Sequence, residues 1–287
     1  MQAEPEFYAR FACKAGQCRH SCCRGWEIDV DEESAAYYRA MPGELGEALR
    51  DALTEDAEGW HFRLDGEERC PFLQADGLCR LICELGEGAL CDICALHPRF
   101  FEEVGDWELS GLGLSCEAVT ALLLESGEAL RFVTQEESLT FPELLSNMGI
   151  AAEAESLRFA PFAGSADYAA LLAAMARTEP IDERWPEELE NLREKLETDC
   201  PAVEAFAQSC DRGRYDRIFV YILYRQLDRL GEYRLEELLN YARANTAFVF
   251  LWDALEGEAP EHLRRWSEQI EYSTENVALL LSKKGEA

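Results

Sequence analysis

Ten of the twelve cysteines in this 287-residue chain fall before residue 117. They form two tight groups, Cys13, Cys18, Cys22, Cys23 and then Cys70, Cys79, Cys83, Cys91, Cys94, with Cys116 just beyond. Free thiols crowded in this way invite oxidation and contribute only as small hydrophobes. The crowding therefore points to disulfides, a bound metal or iron–sulfur cluster, or redox chemistry. The opening Met-Gln-Ala-Glu-Pro-Glu lacks the apolar core of a signal peptide. The longest apolar runs, such as Ala247-Phe-Val-Phe-Leu-Trp252, are too short to span a bilayer. The sequence thus predicts a cytoplasmic protein without a membrane partner. In that reducing compartment lasting disulfides are disfavoured, so metal binding moves ahead.

The spacing of the thiols carries the metal reading further. Cys18 and Cys22 are i, i+4, which on a helix places both sulfurs on one face. Cys23 would then point about 100° away, so Cys22 and Cys23 share one centre only where the chain is irregular. Cys91-Asp-Ile-Cys94 is a C-x-x-C compact enough to grip one ion or one corner of a cluster. Cys70 and Cys79 flank an Asp76-Gly77 turn that can fold them together. Zinc ribbons carry two C-x-x-C knuckles, and this chain has one. A thioredoxin-like site needs a buried strand before its C-x-x-C, and none is evident. Eight or nine irregularly spaced thiols suit an iron–sulfur cluster, 4Fe–4S in the first place, with zinc as the alternative. The candidate ligands are Cys13, Cys18, Cys22, Cys23, Cys70, Cys79, Cys91 and Cys94. His97 precedes Pro98, which biases it out of helical geometry, and it is left out with His20, His61 and His262. Cys200 and Cys210 read as buried small apolar residues.

A net charge of −30 repels phosphate backbones and excludes nucleic acid as a partner. A lysine-bearing or otherwise cationic partner suits this surface better. Residues 1–130 read as a cysteine-rich metal or iron–sulfur region, with short helices broken by Gly-, Asp- and Pro-bearing loops. Asp31 N-caps a helix that begins with acid in its first turn, and Ser115 can cap a helix with Cys116 in its first turn. Residues 131–287 read as a helical domain. After a break at Pro161–Ser165, Ile218, Ile222, Leu223, Leu227 and Leu230 recur at helical spacing, as do Leu235, Leu238, Leu239 and Ala242. Leu263, Trp266 and Ile270 repeat the pattern, and Lys283-Lys284-Gly285 reads as a basic final turn with a stop. No alternating strand–helix rhythm is visible. The expected fold is mainly α, an irregular metal-stapled N-terminal half on a C-terminal helical bundle.

Several segments together resemble a known family. Phe11-Ala-Cys13-x4-Cys18-x3-Cys22-Cys23-Arg-Gly25-Trp26-Glu-Ile28-x-Val-Asp31 resembles the opening signature of the flagellin lysine-N-methylase family. Cys70-Pro-Phe-Leu-x-x-Asp76-Gly77-Leu-Cys79, Leu90-Cys91-Asp-Ile-Cys94-x-x-x-Pro98-Arg99 and Leu114-Ser-Cys116-Glu-Ala-Val are similar to its next three motifs. Tyr221-Ile-Leu-Tyr224-Arg225 and Ile270-Glu-Tyr-Ser-Thr-Glu-Asn276 resemble its C-terminal landmarks. The first three segments also resemble small zinc- or iron-chelating proteins that lack the helical half. Cys83 stands where the family does not require cysteine, and His97 replaces an aromatic residue before the Pro-Arg pair.

The resemblance implies a protein-lysine N-methyltransferase that modifies flagellin lysines before export, with S-adenosylmethionine as donor and an iron–sulfur cluster. A lysine amine is almost wholly protonated at neutral pH, so the enzyme must remove a proton before methyl transfer. No Gly-rich strand-to-helix loop of the dinucleotide-binding kind is present to hold the donor. Arg99 is a candidate to hold a donor carboxylate near the cluster, and no catalytic base stands out. A non-catalytic zinc- or iron-binding or redox protein is the alternative function, and the helical half speaks against it, because a chelator has no use for it.

Overall fold

The computed structural model describes residues 1–125 and 128–281. The expected final turn at Lys283–Gly285 lies outside the described residues. The chain divides into two compact units, one made of Ala12–Phe100 and the other of Met1–Phe11 with Phe101–Ala287. The first strand, β1 (Gln2–Pro5), belongs to the larger unit.

The smaller unit runs β2 (Asp29–Val30), α1 (Glu32–Ala40), α2 (Gly43–Ala52), β3 (Leu53–Glu55), β4 (Trp60–Phe62), α3 (Arg80–Leu85) and α4 (Asp92–Leu96). Helix α1 starts where the sequence places it, with the Asp31 carboxylate accepting from the Ser34 N–H at 2.8 Å. The three strands form an antiparallel sheet in the order β2-β4-β3, with Asp29 opposite His61 and Leu53 opposite Phe62. Its core is small. Tyr38, Leu49, Phe62, Phe72 and Leu81 pack together with the buried sulfurs of Cys70 and Cys91. A core of this size leaves the unit short of apolar burial, the situation in which small domains rely on staples.

The chain passes into the larger unit within β5 (Arg99–Val104) and continues with β6 (Trp107–Leu112), α5 (Glu117–Leu124), β7 (Arg131–Val133), β8 (Ser138–Thr140) and α6 (Phe141–Asn147). Then come α7 (Ser165–Met175), α8 (Arg184–Thr198), α9 (Cys200–Ser209), α10 (Arg212–Tyr224), α11 (Leu235–Glu256), α12 (Pro260–Trp266) and α13 (Thr274–Leu281). A π-helical turn, Ser267–Glu271, joins the last two. From residue 165 onward the chain is helical, as its periodicity predicts. Helix α11 is the central rod, buried on nearly all sides from Asn245 to Asp253. It stops at Gly257, whose φ of +90° suits glycine.

The mainly α expectation needs correction, because the structure is a mixed α/β fold with two small sheets. The larger unit holds a five-stranded sheet in the order β5-β6-β1-β7-β8. Strand β1 pairs parallel to β6 and antiparallel to β7, with Gln2 opposite Glu108 and Glu4 opposite Val133. These strands are three to six residues long, too short for alternation to stand out, and β1 finds its partners a hundred residues away. One signal was present: Gly105-Asp106 between β5 and β6, with Gly105 at φ +60°, has the chemistry of a tight hairpin. A smaller correction concerns α5, where Cys116 itself occupies the N-cap position rather than the first turn.

Helix α10 fastens this sheet through polar contacts at i, i+4 and i+7. Arg217, buried, donates from Nε to Leu123 O at 2.8 Å and from Nη1 to Glu128 O and Glu6 Oε1, each at 3.0 Å. The Tyr221 hydroxyl accepts from Leu112 N–H and donates to Leu112 O, both at 2.7 Å. The Tyr224 hydroxyl lies 2.9 Å from both Ala3 O and Ser110 O. Tyr221 serves as a substitute for a neighbouring strand at the end of β6. Replacing Tyr221 by Phe orphans a buried N–H and a buried C=O, and should cost about 2 kcal/mol in urea-unfolding stability.

Candidate metal centre

Of the two arrangements open to Cys18–Cys23, helical or irregular, the chain takes the irregular one, with a three-residue 3-10 turn just before it at Ala15–Gln17. That irregularity has a consequence. Residues 23–25 run antiparallel to residues 68–70: Gly25 N–H donates to Glu68 O and Cys70 N–H to Cys23 O, both at 2.8 Å, around an Arg24–Arg69 bridge. Gly25 takes φ +74° to make the pairing. The partner segment is held by Asp65, whose carboxylate accepts from the N–H groups of Glu67 at 2.8 Å and Arg69 at 3.0 Å. Adjacent backbone pairing thus sets Cys23 beside Cys70.

The Asp76-Gly77 turn closes the second pair as its sequence predicts. Leu73 bridges to Cys79, Gln74 N–H donates to Leu78 O at 2.9 Å, and Arg80 N–H to Phe72 O at 2.8 Å. Cys79 then occupies the N-cap position of α3, and Cys91 that of α4. The second Asp31 oxygen accepts from Asp92 N–H at 3.0 Å, so the residue that caps α1 also anchors the C-x-x-C helix. Tyr38, buried between them, donates to Ala89 O at 2.7 Å.

Five thiols converge in this way: Cys23, Cys70, Cys79, Cys91 and Cys94. Each of Cys23, Cys70 and Cys91 is within electrostatic reach of Cys94, and Cys23 is within reach of Cys70 and Cys79. Cys22 hydrogen-bonds Cys23, while Cys83 lies near Cys79 and accepts from Gln74 Nε2 at 3.4 Å. Cys13 is exposed and Cys18 half-buried on the loop around Gly16. That loop lies on the Asp76-Gly77 turn: a Cβ at Gly16 would sit 2.5 Å from Asp76 O, and one at Gly77 2.9 Å from the Gly16 Cα. Two glycines therefore allow two backbones to touch, carrying the first cysteine group onto the second.

The buried sulfurs oppose one another's ionisation. Burial pushes the Cys70 thiol up to about 12, with the neighbouring sulfurs of Cys23, Cys79 and Cys91 adding to the rise. Burial likewise raises Cys79. The hydrogen bond between Cys91 and Cys94 lowers the first and raises the second, so the pair shares one proton. Cys23 falls to about 7 through its hydrogen bond with Cys22. Thiolate sulfur is the ligand chemistry of zinc and of iron–sulfur clusters, and a cation among these groups would reverse their mutual opposition to ionisation. The donor set fits such a group. The twelve cysteines form no disulfide, and among the described residues no three His, Cys, Asp or Glu side chains are arranged to hold a metal ion as they stand.

The remaining candidates fall elsewhere. Arg99 opens β5 and is half-buried. His97 is half-buried, and desolvation lowers its imidazole, which favours the neutral ring. Cys200 starts α9 and Cys210 caps its end. Among the described residues no helix is long and apolar enough to cross a membrane. Sequence reasoning missed Gly16 and Tyr38. The first was legible as a glycine between two candidate ligands, the second only once α1 is folded.

No protein-family profile and no solved structure matches the chain. Over 133 residues, 44% of this chain and 33% of the relative, it is 30% identical to a lysine-N-methylase of Salmonella typhimurium. Over the same length it is 29% identical to a lysine-N-methylase of Salmonella choleraesuis. It is also 29% identical to the flagellar biosynthetic protein FliU of Salmonella muenchen, of which the match covers 79%. The chain is thus a distant, partial homologue of these proteins, and its match spans about a third of the length of the two methylases.

The contact of Gly16 with the Asp76-Gly77 turn gives a direct test. Gly16→Ala should destabilise the protein by about 1–3 kcal/mol and raise the maleimide reactivity of Cys13 and Cys18. Gly66→Ala, where a Cβ meets nothing within 4 Å, should leave both unchanged.

Proposed function

We propose that the chain is an S-adenosylmethionine-dependent protein-lysine N-methyltransferase acting on flagellin or another lysine-bearing protein. The observation that carries this reading is the 30% identity over 133 residues to a lysine-N-methylase. The FliU match adds a flagellar connection. A net charge of −30 suits a basic substrate surface.

The cysteine-bearing unit would hold an iron–sulfur cluster, with zinc as the alternative. Cys23, Cys70, Cys79, Cys91 and Cys94 are the inner candidates. Cys13, Cys18 and Cys22 lie on the loop brought against the Asp76-Gly77 turn or beside Cys23, and would complete the set or serve a second ion. When bound, such a group supplies folding energy, on the order of 10 kcal/mol for a zinc site, and a point where the amino-acid end of the donor can be anchored. Arg99 would pair with the donor carboxylate. The protein's own residues prepare the place: Asp31 orients the Cys91–Cys94 helix, and Tyr38 fills the space beneath it.

Two measurements test the reading. Protein purified without oxygen should carry stoichiometric iron and sulfide and absorb broadly into the visible. Cys70→Ala and Cys94→Ala should each lose at least half of that metal, and Cys200→Ala should lose none. Labelled S-adenosylmethionine should place label on flagellin lysines. A metal-loaded protein that labels neither flagellin nor any protein of a lysate would leave the non-catalytic metal-binding alternative in its place.

A further inference from the structure

A cavity in the smaller unit lies clear of the thiols. It holds about 700 Å³ and is lined by Ala36, Arg39 and Ala40 of α1, Arg50 of α2, Leu53 of β3 and Trp60 of β4. Two arginines and an indole thus share one concavity with no carboxylate among the residues that line it. That composition is unexpected in a chain with 57 acidic and 27 basic side chains. Ala36 and Ala40, one turn apart on α1, leave the space beside Arg39 open.

Both guanidinium groups are held in place, and both keep donors to spare. Arg39 lies over the Trp60 ring, its Cζ 5.1 Å from the ring centre. Among the described residues its side chain has no hydrogen-bond acceptor and no ion pair. Arg50 is fixed from behind, because its Nη1 donates to Met41 O at 2.7 Å and to Arg39 O at 3.3 Å at the end of α1. Gly46 permits this closure, since a Cβ there would sit 2.0 Å from Met41 O. The Nε and Nη2 donors of Arg50 meet no acceptor among the described residues. Glu55, opposite Trp60 in the sheet, forms an ion pair with neither arginine. One exposed arginine served by water is ordinary. Two that converge on one cavity, each already ordered by another contact, make a preorganised site.

The chemistry that matches is a planar ring joined to an anion. Guanidinium forks suit phosphate oxygens, and the faces of indole and guanidinium stack on a base. The N–H donors of a guanidinium lie in its plane, so Arg39 can bind oxygen without leaving Trp60. We propose that Arg39, Arg50 and Trp60 form a binding site for a nucleoside monophosphate, with the phosphate on the arginines and the base against Trp60. The cavity is within the size range of small-molecule sites. A polynucleotide is excluded, because a net charge of −30 repels a run of phosphates. A single phosphate feels mainly the charges within a Debye length, about 8 Å at physiological salt. The site stands whether or not the chain transfers methyl groups.

The test titrates the full chain by calorimetry with adenosine monophosphate, adenosine, inorganic phosphate and S-adenosylhomocysteine. Adenosine monophosphate should bind about tenfold more tightly than either adenosine or inorganic phosphate, since only it engages ring and arginines together. Arg39→Gln breaks no hydrogen bond within the protein, so it should keep the parental melting temperature and weaken adenosine monophosphate about tenfold. Trp60→Leu should weaken adenosine monophosphate and adenosine by about the same factor and leave inorganic phosphate unchanged. Adenosine monophosphate that does not bind, or binds no more tightly than inorganic phosphate, overturns the site. So does an unchanged affinity in Arg39→Gln. Tighter binding of S-adenosylhomocysteine than of adenosine monophosphate through these residues also overturns it, and gives the cavity to the methyl donor.

Discussion

The smaller unit depends on one short stretch of backbone, the antiparallel pairing of Cys23–Gly25 with Glu68–Cys70. Sheet pairing fixes which side chains lie next to each other, and a shift of one residue would turn every side chain to the opposite face. Here that rule applies to sulfur. Because Cys70 donates its N–H to Cys23 O, two thiols 47 residues apart in sequence share one patch of core. The hairpin at Asp76-Gly77 and the Asp31 contact to α4 then bring in Cys79, Cys91 and Cys94. Burial and proximity resist the ionisation of several of these sulfurs at once.

The larger unit solves a different problem, that of a small sheet with few strands and long helices to hold. Parallel pairing between β1 and β6 covers only a few residues. Helix α10 compensates by offering Tyr221 and Tyr224, which satisfy backbone groups of β6 and β1, while Arg217 one turn earlier ties down the end of α5 and the loop at Glu128. Polar side chains here replace missing ladder bonds, and so they remain buried without the usual cost. The same helix ends at Arg225, whose charge is met by Glu271. Structural clamp and charged pair are thus one residue apart.

The helical parts were legible because Leu, Ile and aromatic residues at helical spacing leave a strong trace in α10 and α11. The Asp31 cap and the Asp76-Gly77 turn were equally plain, since both rest on local chemistry. The strands were not, because residues such as Gln2–Pro5 have no local reason to be extended and find one only in β6 and β7. For the cysteines, spacing pointed to a shared centre but left open whether residues 18–23 are helical or irregular, and an irregular loop carries them. Glu271 and Tyr272 stood inside a segment noted for its resemblance. Their meeting with Arg225 and Ser115 brings together three separate segments and could not be read from any one of them.

Strand β1 occupies the middle of its sheet, with β6 on one side and β7 on the other. A chain leaving the ribosome therefore exposes its first strand long before either neighbour has been made. Residues 12–100, with their own small core, emerge in that interval. The opening residues must then wait, unpaired, through more than a hundred further residues before the sheet can close.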